Sequence, residues 1–199
     1  MFEAAEYIGL VAFAMSGFFI AVRNKLDFLG VLVSVFLTSA GGGILRDVTV
    51  DIKPYTFTHS SPALVIFSVM ILMVIFRFHK KESLENQPLF ILSDSIGLVS
   101  FSITGTLIAM EHDLNFAGVL ALAFATAIGG GIMRDVIINE VPFVLKTGFY
   151  GTIALLIAAM LFFLDSLGLL GAYSLTAVFI FSVILRLIAY YKHWSIPML

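Results

Sequence analysis

The chain has 199 residues, of which 60% are hydrophobic and 12% charged, with a formal charge of −2 and a mean hydropathy of +1.07. Soluble domains carry roughly a quarter charged residues, so a soluble globular protein is excluded, and the slightly acidic balance excludes a globally basic nucleic-acid binder. Cysteine is absent, which removes disulfide and thiolate chemistry.

Apolar runs close to the roughly 20 residues that cross a bilayer fall at about 5–22, 28–50, 61–78, 90–110, 116–138, 147–165 and 171–191. Backbone groups in lipid need internal partners, so the runs are predicted to be helices. The first carries Glu6 at its start and lacks a basic leader, so it is expected to be kept as a span rather than cleaved. Arg23 and Lys25 follow it. The second carries Ser34, Thr38 and Ser39, then Gly41-Gly42-Gly43-Ile44-Leu45-Arg46-Asp47. Pro62 suits the first turn of the third span. A polar stretch, 79–89, separates the third from the fourth, where Asp94 occupies the place that Glu6 has in the first. Acids at helix starts are favourable to the helix dipole, which accounts for both. The fifth span carries Thr126, then Gly129-Gly130-Gly131-Ile132-Met133-Arg134-Asp135. In the seventh, Arg186 is read as snorkelling to the inner face, with Tyr190, Tyr191 and Trp194 as an interfacial belt. The histidines show no metal-ligand spacing, and no catalytic signature is present, so no enzyme activity is expected.

The second half repeats the first at an offset of 88 positions. Ile8-Gly9-Leu10-Val11-Ala12-Phe13 matches Ile96-Gly97-Leu98-Val99-Ser100-Phe101, and Gly17/Gly105, Arg46/Arg134, Asp47/Asp135 and Pro54/Pro142 stay in step. Each unit holds three spans. An odd number forces the second copy to enter from the opposite side, which predicts two inverted three-helix repeats about a pseudo-two-fold axis in the membrane plane. The expected fold class is thus an all-α integral membrane protein of seven transmembrane helices. It divides into repeat one (1–78), a cytoplasmic linker (79–89), repeat two (90–166), and a seventh helix with tail (167–199). With the N-terminus outside, Arg23, Lys25, Arg77, Lys80, Lys81, Arg134, Lys146, Arg186 and Lys192 lie inside and Arg46 and Lys53 outside. That is 9 of the 11 basic residues inside, which favours an outside N-terminus and a cytoplasmic C-terminus in the cell membrane.

Three glycines in succession weaken a helix and open its backbone. Spans two and five are therefore expected to be kinked or broken at Gly41–Gly43 and Gly129–Gly131, brought together near the midplane. Thr38, Ser39 and Thr126 either line a path there or bond to their own helix. The alternative for the glycines is close helix packing alone. Adjacent residues point about 100° apart on a helix, so Arg46 is expected to pair with Asp135 and Arg134 with Asp47 across the axis. The alternative is that both ion pairs snorkel at the membrane surface. Gly9, Gly17, Gly97 and Gly105 are read as close helix contacts.

The doubled Gly-Gly-Gly-Ile-x-Arg-Asp motif, set in two three-span repeats with a seventh span, resembles the trimeric intracellular cation channel family in its short prokaryotic members. The resemblance covers nearly the whole chain. It implies a homotrimer with one pore per protomer, lined by kinked spans two and five, conducting potassium and less selectively sodium. It places Arg46, Asp47, Arg134 and Asp135 beside the pore as gating charges. Membrane lipids are the expected surroundings, and bound lipid and permeant cations the only expected ligands, with no cofactor and no nucleic acid. Animal members serve as counter-ion channels of the reticulum; Pro197-Met198-Leu199 shows no retention signal, so that role is not expected here. The rival reading is a secondary transporter of a small solute such as glycine, since inverted repeats with broken helices serve transporters equally well. A third reading, a membrane scaffold whose glycines serve only packing, predicts that alanine at Gly42 or Gly130 leaves any flux unchanged.

Overall fold

The computed structural model describes residues 2–78, 88–146 and 149–194, and every element among them is a helix. In chain order these are α1 (Phe2–Arg23), α2 (Phe28–Thr49), α3 (Tyr55–Thr58), α4 (Ser61–Ile75), α5 (Pro88–Glu111), α6 (Phe116–Ile137), α7 (Phe143–Lys146), α8 (Gly151–Ser166) and α9 (Ala172–Tyr191). Helices α1, α2, α5, α6 and α9 are long and apolar enough to cross a membrane. The third and sixth predicted spans correspond to shorter helices, α4 with 15 residues and α8 with 16. At 1.5 Å per residue α8 rises only about 24 Å, less than a hydrocarbon core of about 30 Å. Each is preceded by a single turn of helix, α3 or α7, at equivalent places in the two repeats. The predicted linker 79–89 falls largely outside the described residues.

The helix ends follow local rules. Asp27 and Asn115 cap α2 and α6, accepting hydrogen bonds from the backbone N–H groups of Gly30 (2.8 Å) and Gly118 (2.9 Å). Seven helices stop on a left-handed residue two positions past their last helical one: Lys25, Asp51, Arg77, Asp113, Asn139, Gly168 and His193. At the end of α1 the N–H of Leu26 bonds the carbonyl of Ala21 and that of Lys25 the carbonyl of Val22, the Schellman arrangement that satisfies the terminal carbonyls and reverses the chain. Asp27→Ala and Asn115→Ala should each cost about 1 kcal/mol. Thermal unfolding in detergent checks this, and the double variant should show the sum, because the two caps share no partner.

Packing joins the two repeats directly. Helix α1 lies on α5 and α2 on α6, while α1·α2 and α5·α6 close each repeat; α4 packs on α1 and α2, α8 on α5 and α6, and α9 on α5 and α8. The contacts are reciprocal. Phe13 and Phe101 stack with centroids 5.3 Å apart. Gly9 faces the Phe101 ring and Gly97 the Phe13 ring, so exchanging the repeats carries one contact onto the other. Gly17 and Gly105 lie against Thr38 and Thr126 in the same way. The close contacts expected at these four glycines are present.

Candidate functional site

The glycine triplets do meet, at the crossing of α2 and α6. A methyl on Gly42 would run into the carbonyl oxygen of Thr126, and one on Gly130 into the carbonyl oxygens of Thr38 and Leu37. Under exchange of repeats Gly42·Thr126 becomes Thr38·Gly130, so the crossing also has two-fold character. A methyl on Gly41 would lie 3.2 Å from the Gly130 Cα, and one on Gly129 3.7 Å from the Gly42 Cα. Each helix nevertheless runs unbroken through its glycines, α2 from Phe28 to Thr49 and α6 from Phe116 to Ile137. Of the kink or break expected there, the break is absent; small residues at helix crossings let backbones approach without one.

The third glycine of each triplet does something else. Arginine side chains in a helix lean toward its N-terminus, over the residue three positions earlier. Gly43 and Gly131 leave that space open, and the positions their Cβ atoms would take lie 3.7 and 3.8 Å from Nη2 of Arg46 and Arg134.

Both arginines are deeply buried, Arg46 at 1% and Arg134 at 2% exposure, so they do not snorkel. Nor do they cross-pair. Arg46 Nε donates to Oδ1 of its own neighbour Asp47 at 2.8 Å, and Arg134 Nε to Oδ1 of Asp135 at 2.8 Å. The predicted pairs Arg46–Asp135 and Arg134–Asp47 are therefore corrected: the folded-back guanidinium reaches the adjacent carboxylate although the two Cβ atoms diverge. The other carboxylate oxygen accepts a backbone N–H across the following loop, from Tyr55 to Asp47 (2.9 Å) and from Phe143 to Asp135 (2.8 Å). Each Arg-Asp pair thus anchors the single helical turn that follows, α3 or α7.

Glu6 is corrected too. It is buried and grips Arg46 with both oxygens, Nη1 to Oε2 at 2.7 Å and Nη2 to Oε1 at 3.3 Å. Arg46 Nη1 also donates to Thr104 Oγ1 at 3.1 Å, and the guanidinium stands 5.3 Å over the Phe2 ring. Its counterpart Asp94, also buried, accepts from Ser16 Oγ at 3.1 Å and from the Tyr150 hydroxyl. Neither Arg134 nor Arg186 forms an ion pair with Asp94 among the described residues. Arg186 is 2% exposed, so its snorkelling is also corrected: its guanidinium lies 4.8 Å over the Tyr150 ring and 5.8 Å over that of Tyr190. Arg134 Nη1 and Arg186 Nε have no hydrogen-bond partner among the described residues.

Thr38, Ser39 and Thr126 are buried and donate to their own helices, at the carbonyls of Ser34 (2.6 Å), Val35 (2.7 Å) and Leu122 (2.6 Å). Beside the crossing, a cleft of about 280 Å³ opens between α2 and α6. Asp27, Ser34 and Leu37 line it from one side and Arg134 and Ile138 from the other. No cluster of three or more metal-ligating side chains occurs among the described residues.

The chain matches the family model described as "Glycine transporter" over residues 3–79 and 91–166. It is 31% identical over 196 residues to the UPF0126 membrane protein YvgT of Bacillus subtilis (strain 168), covering 98% of this chain and 95% of that one. With the UPF0126 inner membrane protein YadS of Escherichia coli (strain K12) it shares 31% over 147 residues, 74% and 70% of the two chains. Three solved structures superpose on nearly its whole length. One, from a study of the structural basis for conductance through TRIC cation channels, has a TM-score of 0.86 at 32% identity, covering 100% of this chain and 97% of that one. A prokaryotic TRIC channel crystallised in 0.5 M KCl gives 0.88 at 29%, covering 98% of each. The TRIC trimeric intracellular cation channel orthologue from Rhodobacter sphaeroides gives 0.87 at 27%, covering 96% and 97%. The 88-residue repeat, the glycine crossing and these likenesses agree: the chain is a multi-pass integral membrane protein and belongs to the UPF0126 membrane proteins, the bacterial branch of the trimeric intracellular cation channel family.

Proposed function

We propose that the protein is a monovalent cation channel of the cell membrane, conducting potassium and, less selectively, sodium. The observation that carries this reading is its likeness, end to end and at 27–32% identity, to solved TRIC cation channels. In the reading, three copies assemble and each carries its own path along the α2–α6 crossing, which bends at the triplets. The two repeats are inverted, the N-terminus lies outside and the C-terminus in the cytoplasm, as the basic residues favour. Buried charge within a membrane is costly and marks function; Arg46, Asp47, Arg134 and Asp135 all sit within one turn of the crossing glycines. The gating charge is drawn from those four, and lipid is the one further ligand.

Purified protein in a planar bilayer under a potassium gradient should show discrete openings that reverse near the potassium equilibrium potential. A bilayer that stays silent at all voltages sinks the channel. The family description favours a second reading, carriage of glycine. Liposomes that accumulate labelled glycine while showing no unitary currents would decide for it.

A further inference from the structure

We propose that Arg186, on the one helix that stands outside the repeat, keeps Arg134 movable and so makes Arg134, and not its equivalent Arg46, the cation that gates the path. The proposal rests on the channel reading.

The two arginines occupy the same repeat position but not the same surroundings. Arg46 has a partner on each of its three nitrogens: Asp47 on Nε, Glu6 and Thr104 on Nη1, Glu6 on Nη2. It is locked. Among the described residues Arg134 holds only Asp135, through Nε, and its buried Nη1 is left without a partner, while Arg134 lines the α2–α6 cleft. The difference has three sources. The acid that should close on Arg134 is Asp94, one methylene shorter than Glu6. Asp94 is held by the Tyr150 hydroxyl and by Ser16, whereas the residue equivalent to Tyr150 in repeat one is Pro62, which has no hydroxyl. Finally, α9 stands outside both repeats and brings a further guanidinium, that of Arg186, onto the Tyr150 that holds Asp94. Arg186 stacks on the ring whose hydroxyl binds Asp94.

Arg186 therefore steadies the ring whose hydroxyl holds Asp94, the carboxylate that Arg134 would otherwise reach. While Tyr150, steadied by Arg186, holds Asp94, Arg134 stays by the cleft, where its positive charge opposes cation entry. When Arg134 swings to Asp94, the cleft loses that charge and cations pass. Arg186 acts here as a positioning residue, through Asp94.

Single-channel recording of R186Q tests this. Its open probability should rise about tenfold, the size of an ordinary coupling between sites. Adding Asp94→Asn to R186Q removes the place to which Arg134 moves and should return open probability to the wild-type value or below. On an Arg134→Gln background, R186Q should change nothing. A merely structural Arg186 would not be reversed by D94N, so equal openings in R186Q and R186Q/D94N overturn the proposal, as does an R186Q channel indistinguishable from wild type. If R186Q does not accumulate as folded protein, Tyr150→Phe frees the same carboxylate and must raise open probability; no change is a refutation. A wild-type protein silent in the bilayer sinks the channel reading alone. Thermal unfolding then decides the coupling: R134Q should cost more stability on the R186Q background than on wild type, and equal costs overturn it.

Discussion

Alanine at Gly42 or Gly130 is expected to destabilise the protein severely, while alanine at Gly131 leaves it as stable as before or slightly more so. The added methyl at either middle glycine meets a carbonyl oxygen of the partner helix, not a side chain that can turn aside. Overpacking of a core costs about 1–3 kcal/mol and occasionally more. With backbone on the receiving side the cost should lie at or above the top of that range, because a whole helix must shift to relieve it. Gly131 is the control. The nearest atom to its added methyl is Arg134 Nη2 at 3.8 Å, and alanine there recovers up to about 1 kcal/mol of helix propensity. Thermal unfolding of the three variants in one detergent compares them directly. Equal stabilities for G130A and G131A would mean that the crossing is looser than described, and a G130A that folds and functions normally would support the scaffold reading of the triplets.

Arg46→Met should be the most costly of the charge substitutions. It leaves Glu6 and Asp47, both buried, facing the vacated space without a cation. Breaking a buried ion pair from one side costs about 3–5 kcal/mol, because the stranded charge stays desolvated. Arg134→Met removes a guanidinium with a single ion-pair partner among the described residues and should cost less, so the two equivalent positions separate in a denaturant or thermal series. The same series tests the pairing. Exchanging acid and base in one motif and making the reciprocal exchange in the other should rescue nothing, since Arg46 does not touch Asp135. Recovery of stability in the doubly exchanged protein would restore the cross-paired arrangement.

Much of the architecture was legible before any coordinates. The 88-residue offset located the two units, and the triplets located the crossing, because three small residues in an apolar run mark where two backbones approach. What the residues could not show was how far an arginine side chain reaches. Divergence of adjacent Cβ atoms argues against pairing only for short side chains. Arg46 and Arg134 lean back over Gly43 and Gly131 and meet the next carboxylate through Nε, so the third glycine was the overlooked signal. Glu6 and Asp94 looked like dipole-favoured helix starts because each sits near the head of an apolar run. Their matching repeat positions within spans were the better clue, since an acid at membrane depth needs a partner. The partner of Arg186 was not legible at all: Tyr150 lies 36 positions away with no pattern linking them. The single turns α3 and α7 were foreshadowed only by Pro54 and Pro142, which stand just before them.

Where α2 crosses α6, nothing but hydrogen atoms stands between two lengths of backbone. Such a contact cannot be squeezed closer, and at Gly42 and Gly130 themselves it is backbone, not a side chain that could repack, that stands in the way of sliding. The motion left to the pair is tilting about the point of contact, in the manner of a see-saw. Spreading the helix ends at one membrane face then brings those at the other face together, unless a bend at the glycines lets the two halves tilt separately. On a frame of this kind, the choice between a channel and a carrier comes down to whether both ends can stand open at the same moment.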